Sequence, residues 1–250
     1  MVNATRMRVV RVPSEQDEAL RHLIRDRGQL HKEVLQHRER MRKLLVTVGC
    51  WQKIDRRSFA KRLANNTLTR HDGTLLPQEL RQRLLRETDR LMLAEQQLAS
   101  VEALLQERLP TPVRERVAHL SRLRGIGHLS AARLMLELFW RQFGNRRQLG
   151  ACVGLVPQPY DSGQSHVDQG ISKQGNRRVR TALIEMAWCW LRYQPNSALA
   201  QWFNDRTQGS GPNRRARRIA IVALARRLVI ALWRYLRDGI VPDGTQFKAA

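Results

Sequence analysis

The residues best equipped for chemistry lie between positions 160 and 180. Tyr160-Asp161-Ser162-Gly163 sets a serine hydroxyl inside a turn-forming sequence. A serine becomes a nucleophile when a base withdraws its proton, and Asp161 and His166 are close in sequence. Asp-Ser-Gly is also an ordinary turn tripeptide whose serine needs no chemical role. Lys173, Arg177 and Arg178 follow; such cations can stabilise a phosphorane or a departing oxyanion. The chain has no HExxH, no Walker loop and no GxGxxG, and its acidic residues form no two-metal nuclease pattern.

Three stretches point to anions. Asn176 is a good helix N-cap, yet Arg177, Arg178 and Arg180 fill the turn after it. Cations there oppose the helix dipole by roughly 0.3–1 kcal/mol each. The pattern recurs in Asn213-Arg214-Arg215-Ala216-Arg217-Arg218. One such run is commonly a solvated face; two in one region, with Lys173, favour phosphate contact. The third stretch, Leu123-Arg124-Gly125-Ile126-Gly127-His128, has the form of a helix-hairpin-helix turn. Gly125 and Gly127 would let the backbone approach a phosphate, with Arg124 beside them. A plain tight turn between two helices fits the same residues.

Composition agrees with a polyanionic partner. The 45 Lys+Arg against 22 Asp+Glu give a formal charge of +23 and a pI near 11.6. Such a surface repels itself until nucleic acid neutralises it. Trp188, Trp190, Trp202 and Trp233 could stack on bases, but Trp190 and Trp233 fall on apolar helix faces and read as core. No run approaches the roughly 18 apolar residues needed to span a bilayer, and acids among the bases of the long helices argue against a membrane-surface role. Three scattered cysteines, Cys50, Cys152 and Cys189, argue against a disulfide framework and fit a cytoplasmic protein.

The elements positioning these residues are mainly helical. Residues 1–13 read as an extended lead-in. Ser14, followed by Glu15, Asp17 and Glu18, starts a helix with a long apolar stripe from Leu20 to Val48. A turn-rich connection with a short helix follows, and Pro77 opens a second long helix striped by Leu80, Leu84, Leu91, Leu98 and Leu105. Region 14–110 is therefore an antiparallel helical or coiled-coil arm able to pair with another copy. Pro110 and Pro112 mark the boundary to a compact helical domain, 111–250, with helices at about 177–193 and 214–238. Between 144 and 176 an irregular central loop is expected, with Ala151–Val156 the best strand candidate.

From Leu123 onward the order of motifs resembles one family closely: Leu-Arg-Gly-Ile-Gly-His-Leu-Ser-Ala-Ala-Arg-Leu (123–134), Arg-Arg-Gln-Leu-Gly-Ala-Cys-Val-Gly-Leu-Val-Pro (146–157), Tyr-Asp-Ser-Gly (160–163) and Gly-Ile-Ser-Lys-Gln-Gly-Asn-Arg-Arg-Val-Arg (170–180). These are similar to the insertion-sequence transposases of the one-hundred-and-ten family, the RNA-guided serine recombinases. The resemblance implies that Ser162 attacks DNA and forms a phosphoserine link, with a guide RNA as a further partner. It also implies an N-terminal ribonuclease-H-like domain whose four acidic residues bind magnesium. No position here receives those carboxylates, so the chain is expected to be the coiled-coil and serine-domain portion, with no cofactor of its own and Mg2+ held by the acidic domain. The alternative is a non-catalytic DNA- or RNA-binding and dimerisation module derived from such a transposase.

Overall fold

The computed structural model describes residues 12–55, 58–162, 165–208 and 214–249, with the side chains of 159–162 and 165–169 excluded. The chain divides into two compact units, one of Ser14–Leu109 and one built on Pro110–Ala250. The fold is mainly α, with one two-stranded sheet among the described residues.

The first unit holds α1 (Glu15–Val46), α2 (Ser58–Ala64) and α3 (Gln78–Arg108). Ser14 caps α1 by accepting from the Asp17 amide at 3.1 Å, while the Asp17 carboxylate accepts from the Ser14 amide at 3.4 Å. This reciprocal box fixes where the helix begins. The ion pairs Arg27–Glu102, Arg38–Glu95 and Arg40–Glu87 step forward along α1 and backward along α3. The two helices are therefore antiparallel. Val34, Met41 and Leu45 from α1 meet Leu84, Leu91 and Ala94 from α3, and Phe59, Leu63, Leu68 and Leu76 close the core at the connector end. Leu35, which the stripe would bury, is 51% exposed; its face points away because α3 covers only one side of α1.

Glu87 is buried within this hairpin and accepts from His37 Nδ1 at 2.8 Å and from the Arg40 and Arg90 guanidiniums at 2.9–3.0 Å. Burial pushes its carboxyl up, but the His37 and Arg40 hydrogen bonds and the Arg40 charge outweigh this and hold it below its ordinary 4.5. A carboxyl lowered in the folded state contributes stability that is present above the unfolded value and lost as pH falls through the folded one. The hairpin should therefore lose helix stability on acidification below about pH 4.5. Glu87→Gln should melt about 1–3 kcal/mol less stably at neutral pH and show a flatter acid limb. Circular dichroism melts against pH measure both; an unaltered acid limb would remove Glu87 from this role.

The second unit holds α4 (Thr111–Ser121), α5 (His128–Glu137), α6 (Arg146–Cys152), β1 (Pro157–Ser162), β2 (Ser165–Ile171), α7 (Arg177–Tyr193), α8 (Ala198–Gln208) and α9 (Arg214–Asp238). Its centre is α9, whose Ile221, Leu224, Leu228, Val229 and Leu232 are buried together with Val179, Leu183, Met186 and Trp190 of α7. Trp190 and Trp233 are core residues, as their helix faces predict, and the Trp190 indole donates to Ser197 Oγ at 2.9 Å.

The 144–176 region is more regular than its composition suggests. Asn145 accepts from the Arg147 and Gln148 amides and starts α6, so Ala151 and Cys152 finish a helix instead of opening a strand. Gly154, at φ +67°, then turns the chain, and the strands lie further on. β1 pairs antiparallel with β2, with Asp161 opposite His166 and Ser162 opposite Ser165. Helix α8 lies between the two helices expected from sequence in this region and was not among those expected.

Candidate nucleic-acid interface

The second unit contains a groove of about 1070 Å³ along one flank of α9. Arg215, Arg218, Arg226, Arg227 and Arg234 come from α9, Arg146 and Arg147 from the start of α6, and Lys173 from the segment after β2. Asp243 is the one acidic side chain in its lining, and the floor is aliphatic, with Ile171, Ile219, Val222 and Ile230. Eight cations against one carboxylate give a strongly positive trough. Its low-dielectric floor and walls concentrate that field.

Arg218, Val222, Arg226, Ile230 and Arg234 recur every fourth residue. This is the ridge that winds slowly around an α-helix, so cations and aliphatic residues alternate along the groove. Arg227 stacks 4.1 Å from the Trp202 ring centre, with Arg206 at 5.8 Å from that ring. The stack restrains the Arg227 guanidinium, and a restrained cation loses less freedom on meeting a phosphate.

Three of the cations expected from sequence, Lys173, Arg215 and Arg218, meet in this groove. Arg214 and Arg217 are exposed on the same helix start but outside the groove lining, and Arg217 sits 6.0 Å from the Phe203 ring centre. Arg177 and Arg178 are exposed on α7, likewise outside it. Arg180 is half-buried and donates to the Val153 carbonyl at 3.2 Å, bracing the backbone. Sequence reasoning missed Arg146, Arg147, Arg226, Arg227 and Arg234. The eight-residue spacing of Arg218, Arg226 and Arg234 on α9, which keeps them on one helix face, was the available signal.

The 123–127 turn joins α4 to α5 apart from this groove. Gly125 has φ +86°, and a Cβ there would stand 3.3 Å from the Cys189 carbonyl oxygen, so the turn packs flat against the end of α7. The C-terminal segment straps it: the Arg124 amide donates to the Gln246 carbonyl, the Lys248 amide to the Arg122 carbonyl, and Lys248 Nζ to the Ile126 carbonyl. Buried Gln194 donates to both the Arg124 and Gln246 carbonyls. The Arg124 guanidinium bonds Gln246 Oε1 at 2.7 Å. Gly127 caps α5 with open space beside its Cα.

Ser162 is the last residue of β1, and its side chain lies outside the described residues, as do Gly163 and the side chains of Asp161 and His166. The base of the strand pair, Pro157, Gly170 and Ile171, lines the groove. Five residues of strand separate Pro157 from Ser162, a contour of roughly 16 Å. Among the described residues no group of three or more His, Cys, Asp or Glu could hold a metal ion, so magnesium is assigned no ligands here and no step is derived through it. Burial pushes the half-buried Cys152 thiol up against the opposing pull of Arg141. No described helix is long and apolar enough to cross a membrane.

These features define a basic, mainly helical protein whose cations converge on one groove. Residues 117–202 match the family described as Transposase IS116/IS110/IS902 family. The y4rJ protein of Sinorhizobium fredii, named as a transposase, is 39% identical over 254 residues, 96% of this chain and 63% of its own length. The transposase for insertion sequence element IS1111A of Coxiella burnetii is 36% identical over 115 residues, 45% of this chain and 30% of its own. That for element IS1328 of Yersinia enterocolitica is 30% identical over 131 residues, 51% and 37% of the two chains. The chain thus spans less than two thirds of each of these relatives. Residues 117–202 are thus the part of the chain similar to the IS116/IS110/IS902 transposase family.

Proposed function

We propose that this chain is the DNA-holding portion of an insertion-sequence transposase, and that Ser162 is the nucleophile that joins it to a DNA strand. The observation that carries the reading is the groove, in which eight cations face one carboxylate. A sugar-phosphate backbone supplies the regularly spaced negative charge such a trough requires, and the aliphatic floor accepts the sugar faces. The motif order around Ser162 and the base of its strand pair at the groove connect binding to chemistry. The 123–127 turn, with Arg124, Gly125 and Gly127 in the pattern of a helix-hairpin-helix, would add a second backbone contact. The exposed Arg177, Arg178, Arg214 and Arg217 would extend it. The family resemblance adds a guide RNA as a further polyanion and magnesium in an acidic domain. The reading is tested by fluorescence anisotropy of labelled duplex DNA across a salt series, with RNA as competitor.

The hairpin of the first unit favours a second, compatible role in assembly. Leu35, Met92 and Leu93 are 50–55% exposed on α1 and α3, leaving aliphatic surface on the two-helix arm. A coiled coil formed with another copy would cover it. Light scattering of the full chain should report a dimer or larger species, and Leu35→Glu with Leu93→Glu should return it toward monomer. A monomeric parent chain at high concentration would end this part of the reading.

A further inference from the structure

We propose that Lys173 is a fixed phosphate anchor of the groove, held in place by a backbone strained to position it. The inference deepens the DNA-holding reading and rests on it.

Lys173 has φ +56°, a left-handed conformation. Among the described residues Asn66 is the other non-glycine with positive φ, and asparagine tolerates that region because its short side chain bonds locally. Lysine has no such compensation, so the conformation is imposed by the surroundings.

Those surroundings are a backbone crossing. The Ser172 amide donates to the Val156 carbonyl at 2.9 Å, Lys173 to Gly154 at 3.2 Å and Asn176 to Cys152 at 3.0 Å. A Cβ on Gly154 would stand 1.9 Å from the Gln174 carbonyl oxygen, and one on Gly175 would stand 2.2 Å from that of Cys152. The two segments therefore touch at a distance only glycine permits. Asn176 fastens the crossing from beneath: its side chain caps α7 and also donates to the carboxylate of buried Glu137 at 3.0 Å. Arg180 fastens it from the side through Val153.

The Lys173 backbone is thus held on several sides, while its side chain is exposed and lines the groove. No ion-pair partner engages its ammonium among the described residues. Glycine or asparagine would meet the backbone demand at lower cost. A lysine at such a position is explained by what its ammonium contacts. With its backbone already fixed, that ammonium loses less freedom on binding than a cation on an unrestrained segment.

The test uses the full chain, a fluorescein-labelled random-sequence DNA duplex followed by anisotropy across a salt series, and thermal melting by circular dichroism. Lys173→Gly should melt at or above the temperature of the parent, because strain is relieved, yet bind about five- to tenfold more weakly with a salt slope shallower by about one. Lys173→Ala should lose the same affinity without the gain in melting temperature. Lys173→Arg should retain affinity. Unchanged affinity and slope in the Gly and Ala variants would overturn the anchor, and a Gly variant melting well below the parent would overturn the strain. No binding by the parent chain would overturn the groove reading itself, and this proposal with it.

Discussion

The chain should bind duplex DNA with an affinity that falls steeply as salt rises, and three arginines of α9 should carry much of that response. Each phosphate neutralised contributes about −0.9 to the slope of log affinity against log salt. Eight groove cations therefore set a limit near −7, and engagement of most of them gives a slope of about −4 to −7. Arg218→Ala, Arg226→Ala and Arg234→Ala combined should flatten the slope by about three and weaken binding on the order of a hundredfold at low salt. The comparison is Arg83→Ala, Arg86→Ala and Arg108→Ala, which removes the same charge from exposed positions of α3. That triple should cost only a few-fold. Equal losses in the two triples would mean that net charge, and not the groove, governs binding.

This contrast separates two quantities that the sequence presents as one. A formal charge of +23 is visible from composition alone, but composition does not say where the charge converges. On sequence the arginines of α9 divide into a conspicuous run, 214–218, and a scattered remainder, 226, 227, 234 and 237. In the fold Arg226, Arg227 and Arg234 of the remainder line the groove together with Arg215 and Arg218 of the run, Lys173, Arg146 and Arg147, while Arg214 and Arg217 fall outside the lining. The groove exists because α6, the base of the strand pair and the start of α8 come alongside α9. Those are long-range contacts, and no local pattern encodes them.

The long helices were legible because local signals agree with packing. The capping box at Ser14, the cap at Asn176 and the apolar stripes of α1, α3 and α7 each state in a few residues what the core then enforces. The run 151–156 misleads because its apolar residues have no period long enough to separate a short helix from a strand. The cap at Asn145 and the left-handed Gly154 decide the matter. The turn at 123–127 was legible as a turn, but its straps come from Gln194 and from residues 246–248, over fifty residues away in sequence. Arg180, which looks like one more phosphate-gripping cation, braces the Gly154 crossing by donating to the Val153 and Gln174 carbonyls.

Ser162→Ala should abolish covalent attachment of the protein to DNA while leaving binding within about threefold of the parent. In the proposed step Ser162 Oγ forms a bond to phosphorus and the bond from phosphorus to the leaving deoxyribose oxygen breaks. The serine proton passes to a base, and the leaving oxygen gains a proton. A serine hydroxyl is a weak nucleophile until a base accepts its proton. Lys173 and the groove arginines can neutralise charge on the phosphate, but they cannot accept that proton while they remain protonated. The chain alone is therefore expected to bind DNA and to form little adduct. Supplying the acidic domain that the family resemblance implies, in cis or in trans, should raise the yield of DNA-linked protein. Denaturing gels of end-labelled DNA, run with and without protease digestion, detect that species directly. Loss of the nucleophile should lower its rate of formation by at least about a thousandfold, an effect that no change in groove affinity of a few-fold can imitate. Undiminished adduct in the alanine variant would place the nucleophile elsewhere in the chain. Abundant adduct from the chain alone would show that the base lies within these 250 residues, with Asp161 and His166, opposite each other across the strand pair, the first positions to substitute.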